Sequence, residues 1–275
     1  MLRAFGILVT ASALVLSTTA IAAAPVPAKP ALVEVEGKPS GYALGVTPLD
    51  RPDVCGAQKV RLQLGTNMNL SLATWLSTPA QQGPSPTASV YLASGTQKVT
   101  FAGAKVIRIE LPVVGSQSNG PSVFVIDLEA QSTTCSAVAT NTAGAFDNQA
   151  AAFAARSTSP SAGRTRLDGK PLASVRTAGR FDRMRLGDLQ IAYAPSEAQA
   201  MQEWMARITA RKTVEVESTL VDGIGASVLE IVARVQAPSA NGRTLELTAD
   251  QLRVCVFVGG QRVCPRMIVP AATAK

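Results

Sequence analysis

The sequence predicts a mainly β protein of the β-rich α+β class, built as two tandem β-barrel or β-sheet modules, each with one packed amphipathic helix. Apolar residues alternate at period two in short runs bounded by Gly, Pro and Asn, the pattern of half-buried strands. Helical spacing of large apolar residues occurs twice, each time around one of the chain's two tryptophans. The runs on either side of residues 141–164 follow the same order. Composition agrees with this class, since 47% of the 275 residues are apolar but only 16% are charged and 4% aromatic, as suits a secreted β-rich protein.

From the N-terminus, residues 1–22 read as a signal peptide: Met1-Leu2-Arg3 is basic, Ala4 to Ala20 apolar, and Ala20-Ile21-Ala22 a small-x-small cleavage site. Thr10, Ser12, Ser17, Thr18 and Thr19 interrupt the apolar run, which argues against an anchor, and no transmembrane segment is expected after cleavage. The expected location is therefore periplasmic or secreted. Residues 23–40, rich in Pro, Ala and Val, read as an extended tether. The first β-rich module is expected at 41–140, an Ala/Ser/Gly/Thr-rich linker or surface insertion at 141–164, and the second module at 165–275.

Inside each module a strand precedes a helix. Val60, Leu62 and Leu64 alternate before the stripe Met68, Leu72, Trp75, Leu76; Leu189, Ile191 and Tyr193 alternate before Met201, Trp204, Met205, Ile208. Ser196 and Gln199 predict a capping box opening the second helix. Ile107, Ile109, Leu111-Pro112 and Ala233, Val235, Ala237-Pro238 predict strands ending at proline. Asn119-Gly120 and Asn241-Gly242 each open another strand, over Val123, Val125, Asp127 and Leu245, Leu247, Ala249. Spacing at i, i+3, i+4, i+7 makes the tryptophan stripes core rather than binding surfaces.

Four cysteines in an exported chain predict two disulfides. Gly259-Gly260 reads as a two-residue turn that sets Cys255 opposite Cys264 at a non-hydrogen-bonded pair, leaving Cys55 with Cys135. A four-cysteine zinc site is the alternative, but the chain has no CxxC knuckle. Neither a metal nor a cofactor is expected.

In these residues the chain resembles the phage contractile-tail tube protein and, more remotely, the type VI secretion tube protein. The resembling features are a short helix with Met/Leu-x-x-Trp-Leu/Met, then Phe101-Ala102-Gly103-Ala104-x-Val106 leading to Glu110-Leu111-Pro112, and a strand ending Asp127-Leu128-Glu129. The second copy offers Leu186-Gly187-Asp188-Leu189-x-Ile191, the Trp204 helix and Ser218-Thr219-Leu220-Val221-Asp222-Gly223. The resemblance covers about 75 residues per copy. It implies non-catalytic rolled barrels that pair strands between subunits. A signal peptide, disulfides and two copies in one chain depart from that family.

Chemistry in the chain is sparse. The absence of histidine excludes His-based triads, Cys/His dyads and imidazole acid–base catalysis. Asp127 with Glu129 and Glu215 with Glu217 each share a strand face, the minimum for two-carboxylate chemistry, but no feature joins the pairs and aromatic sugar platforms are scarce. Of the formal charge of +7, Arg3 in the leader supplies one and the second half all the rest: residues 25–150 hold eight basic and eight acidic side chains, residues 151–275 seventeen and eleven. Arg156, Arg164, Arg166, Lys170, Arg176, Arg180, Arg183 and Arg185 face only Asp168 and Asp182, so this segment is a candidate surface for a protein partner or an anionic polymer. A hairpin around Asp168-Gly169 whose arginines protect an edge explains it equally. Nucleic acid is not an expected partner, because bases would find almost nothing to stack on. The expected function is a non-catalytic structural or adaptor protein that assembles with itself or another envelope protein through strand edges. The alternative is a periplasmic module binding an anionic polymer or glycan.

Overall fold

Strand pairing begins at Ala31, before the Gly41 at which folding is expected from composition. The computed structural model describes residues 29–78, 85–92, 96–115, 120–182, 186–210 and 214–265. Its first half runs β1 (Ala31–Val35), β2 (Lys38–Pro48), β3 (Lys59–Gly65), α1 (Leu70–Ser77), β4 (Ala88–Leu92), β5 (Gln97–Ala102), β6 (Lys105–Glu110), β7 (Val123–Glu129) and β8 (Ser132–Ala137). The helix α2 (Thr140–Ala154) follows. The second half runs β9 (Arg164–Leu167), β10 (Lys170–Leu172), β11 (Ser174–Asp182), β12 (Leu186–Tyr193), α3 (Ala198–Ala210), β13 (Val214–Val221), β14 (Ser227–Asn241), β15 (Thr244–Val258) and β16 (Gln261–Val263). The expected signal peptide lies outside the described residues.

The expected tether thus contains a central strand. β1 is hydrogen-bonded to β2 on one edge and β4 on the other, and Leu32, Val33 and Val35 are buried. A strand covered on both faces reads as a continuous apolar run rather than an alternation, which is why proline-rich flanks conceal it. Glu36 and Gly37, both at positive φ, make the tight turn into β2.

One antiparallel sheet path joins the strands in the order β10-β9-β13-β14-β15-β12-β11-β6-β7-β3-β2-β1-β4-β5-β8, with β16 on β15. In the first half β7 lies between β3 and β6; in the second β15 lies between β12 and β14; β2 flanks β3 as β11 flanks β12. The first half rolls on itself. The Cys55–Cys135 disulfide ties the segment before β3 to β8, and Thr133 Oγ1 donates to Ala57 O there. In the second half β9 meets β11 through the buried hydroxyl pair Thr165 and Thr177, 2.8 Å apart. One apolar cluster runs through both rolls, from Val33 and Leu62 to Ile231 and Val254.

Helix α1 starts at Asn69, whose side chain accepts from Ser71 N and Leu72 N. It buries Leu72, Ala73, Trp75 and Leu76, and the Trp75 indole donates to Ala104 O. Glycine makes this approach possible. A Cβ at Gly41 would lie 2.7 Å from Leu72, and one at Gly65 would lie 1.9 Å from the Tyr42 ring. Helix α3 departs from its expected start: a 3-10 turn over Pro195–Glu197 precedes it, so Ser196 lies inside that turn and Gln199 donates forward to Glu203. Proline at the head of the turn sets the entry instead.

Three further expectations need correction. The 141–164 segment is helical over α2, with a second 3-10 turn at Pro160–Ala162. Ala143, Phe146, Ala150 and Phe153 recur at helical spacing, and Phe146 packs 4.0 Å from the Tyr91 ring. The stripe is half alanine, so its apolar contrast is small. In β6 a bulge at Ile107 breaks the alternation, and Val106 with Ile109 is buried instead of Ile107 with Ile109. Strand β14 continues past Pro238, which sits in a register shift between Gln236 and Ser239 where the ladder needs no N–H.

Both disulfides pair as the cysteine arithmetic predicts. Cys255 and Cys264 lie 4.2 Å apart at Cα, the short spacing of a non-hydrogen-bonded cross-strand pair. The two bridges close loops of very different size, with sequence separations of 80 and 9. Chain-entropy arithmetic gives about 4.5 kcal/mol for the longer and about 2.6 kcal/mol for the shorter. Urea unfolding is therefore expected to show a larger stability loss for Cys55→Ser/Cys135→Ser than for Cys255→Ser/Cys264→Ser; the reverse order would contradict this ranking.

Candidate functional site

The two halves meet at strand edges. β6 and β11 pair antiparallel, with Arg180 opposite Glu110, Phe181 opposite Ile109 and Asp182 opposite Arg108. Beyond β6 the pairing continues through Leu111 N to Gly179 O and a bridge between Val114 and Thr177. Phe181 and Ile109 point into the shared core, where both are buried.

The opposite face of the junction carries a row of charge. Arg61 on β3 makes a two-pronged ion pair with Asp127 on β7, at 2.7 and 3.0 Å. Asp127 also faces Arg108 at 3.8 Å, and Arg108 contacts Glu110. Across the junction Arg180 approaches Asp182 at 3.6 Å and stands opposite Asp188 on β12. Signs alternate from strand to strand, so the row adds attraction across five strands. Asp127 is nearly buried, and its hydrogen bond holds the Arg61 guanidinium more firmly protonated than usual. Arg61 and Arg108 were not singled out in the sequence, because charges on alternate strand positions look like ordinary solvated faces.

Helix α1 reinforces the junction. Although it follows β3, it packs against β15 in the second half, where Val254 N donates to Ser77 Oγ. The site is a gap: β12 pairs with β15 only as far as Ala249, and pairing on that edge resumes at Val256, opposite Val263 of β16. The helix C-terminus fills the interval and accepts an amide that would otherwise be orphaned.

The arginine-rich segment is spread over three strands. Arg164 and Arg166 are exposed on β9, Lys170 is exposed on β10, and Arg176 and Arg180 are exposed on β11. Arg183 and Arg185 lie outside the described residues. The expected hairpin is present, with Asp168 and Gly169 at positive φ. Acidic residues interleave with these cations: Arg166 stands opposite Glu217, and Arg180 opposite Glu110 and Asp188. Arg156, at the end of α2, contacts Asp222 at 3.5 Å.

The carboxylate pairs do not converge. Asp127 is committed to Arg61 and Arg108 while Glu129 is exposed, and five strands separate β7 from β13, which carries Glu215 and Glu217. The second roll is filled: the void bounded by Leu111, Gly179, Leu189, Val216 and Ile231 measures about 10 Å³, room for one water at most. An open groove of about 320 Å³ lies over Asp188, Gln190, Ser239, Glu246 and Thr248. Among the described residues no three His, Cys, Asp or Glu side chains are grouped to hold a metal ion, and no helix is long and apolar enough to cross a membrane.

Against known proteins, no family model matches the chain and no curated protein has a matching sequence.

Glu230 on β14 offers a titratable probe. Burial raises its carboxyl above the usual range, opposed by the neighbouring Arg262 and reinforced by Glu217. A raised folded-state value makes the neutral form the favoured one, so its contribution is fully present below the unfolded value and is lost as pH rises through the folded one. Comparing urea midpoints of wild type and Glu230→Gln from about pH 4 to about pH 7, the difference is expected to move in favour of the variant as pH rises. Movement toward wild type would show that Arg262 dominates.

Proposed function

We propose that this chain is an exported, non-catalytic structural or adaptor protein of two related β modules, which assembles with itself or another envelope protein through strand edges in the manner of a tail tube. The supporting observation is the β6–β11 pairing. The edge of one half accepts the edge of the other, and the helix of the first half crosses onto the second. The common order β2-β3-β7-β6 and β11-β12-β15-β14 supports a tandem origin, because the two units then abut head to tail. The two disulfides are compatible with a periplasmic or secreted location.

Edges differ in their availability for a further partner. β10 is three residues long and contains Pro171, a blunted edge. On β2, among the described residues, no strand pairs beyond Ala43 on the side away from β3, and Thr47 and Leu49 are exposed. Leu49 N points at Lys59 O, so by alternation the Val46 N–H points outward. Light scattering of the oxidised protein over a concentration series is expected to reveal a defined oligomer that survives high salt, since strand pairing buries backbone and apolar groups rather than screened charges. Val46→Pro, which removes the outward amide along with part of the Val46 packing on the core, is expected to reduce it while far-ultraviolet circular dichroism shows the fold retained. A monomer at every concentration would end the self-assembly reading.

A further inference from the structure

The two most exposed large apolar side chains among the described residues sit at one end of the second roll. Ile224 is 91% exposed and Val258 61%. Ile224 tips the turn between β13 and β14, and Val258 borders the Gly259-Gly260 turn between β15 and β16. Because Val221 pairs with Ser227 and Leu229 with Val256, these turns cap neighbouring strands at the same end. Between them an open groove of about 420 Å³ is lined by Arg156, Ala226, Ser227, Phe257, Gly259 and Gly260.

The exposure of Ile224 is built rather than frayed. Asp222 Oδ1 accepts from Ile224 N at 3.2 Å and Ala226 N at 2.9 Å, Asp222 N donates to Ala226 O, and Gly225, at positive φ, donates to Asp222 O. Asp222 is itself only 7% exposed and is held by Arg156. These four hydrogen bonds fix the turn so that it holds an isoleucine in water, where it gains nothing for the isolated fold.

Charge at this end has one outward sign. The nearby carboxylates, Asp222 and Glu230, are each 7% exposed and paired, whereas their arginine partners, Arg156 and Arg262, are 50% and 38% exposed. Arg164, at the start of β9 opposite Thr219, is exposed as well. Glu215 and Glu217 lie further along β13, away from the turn.

We infer that this end docks on an anionic phospholipid surface, with Ile224 and Val258 entering the acyl boundary and Arg156 meeting lipid phosphate. Aliphatic tips ringed by cations match such a surface in both its apolar depth and its negative potential. A few aliphatic groups with a few cations give weak, reversible attachment rather than permanent anchoring. The inference does not rest on the strand-edge reading, since it uses neither β2 nor the β6–β11 junction.

Vesicle co-sedimentation tests it, using the oxidised chain from residue 23, which retains every described residue. Phosphatidylglycerol/phosphatidylethanolamine vesicles are expected to bind the protein, with phosphatidylcholine vesicles or high salt weakening binding. Ile224→Ser/Val258→Ser should lower affinity for the anionic vesicles about tenfold or more, and Arg156→Gln should lower it less. Both serine positions are exposed, so circular dichroism and unfolding midpoints should stay unchanged. Equal binding by wild type and the double variant, equal binding to phosphatidylcholine, or no binding to the anionic vesicles would each overturn the inference. A concentration-dependent oligomer that forms without vesicles and is abolished by the double variant would overturn it too, by assigning this end to a second copy.

Discussion

The pairing of β6 with β11 is the constraint on which the rest of the structure depends. Each half carries strand edges that would be open on their own, and unpaired edges invite indiscriminate association. Joining them places the strands of both halves in one sheet path with one continuous apolar cluster. The short ladder is backed on one face by Phe181 and Ile109 and on the other by the alternating charges from Arg61 to Asp188. Most of those charges are partly exposed, so they contribute register more than stability: a slip of one residue would set Arg180 and Asp182 opposite apolar residues of the β6 segment, and a slip of two would set like charges opposite each other.

A second tie runs through α1. Its sequence neighbours are β3 and β4, yet its C-terminal turn supplies an acceptor to β15 in the other half. The helix is eight residues long, too short to persist in isolation, and its stability comes from the surfaces it covers. Its folding is therefore bound to the presence of both halves. The same tie leaves the partly buried second helix α3 in a different setting, since it packs against β14 within its own half.

Much of the local structure was legible in the sequence and much of the long-range structure was not. The Gly259-Gly260 turn determined the Cys255–Cys264 pairing because a two-residue hairpin leaves only one register. The stripe Met68, Leu72, Trp75, Leu76 announced α1 because helical spacing survives without tertiary information. By contrast, nothing local to α1 names β15 as its destination. β1 was missed because a strand buried on both faces lacks alternation, and α2 because alanine gives its buried stripe little contrast. Of the candidate site, the arginines of 164–185 stood out by composition, but their acidic neighbours Glu110, Asp188 and Glu217 come from other strands and become visible only with strand order.

The central claim is that the junction makes the two halves one cooperative unit. It is tested most directly by urea unfolding of two oxidised single-tryptophan variants, Trp204→Phe, which reports on α1 through Trp75, and Trp75→Phe, which reports on the second half through Trp204. After each fluorescence transition is compared with the same variant's far-ultraviolet circular dichroism, the account predicts coincident curves for both. A fluorescence transition that separates from the dichroism in either variant, with one half melting while the other remains folded, would contradict it.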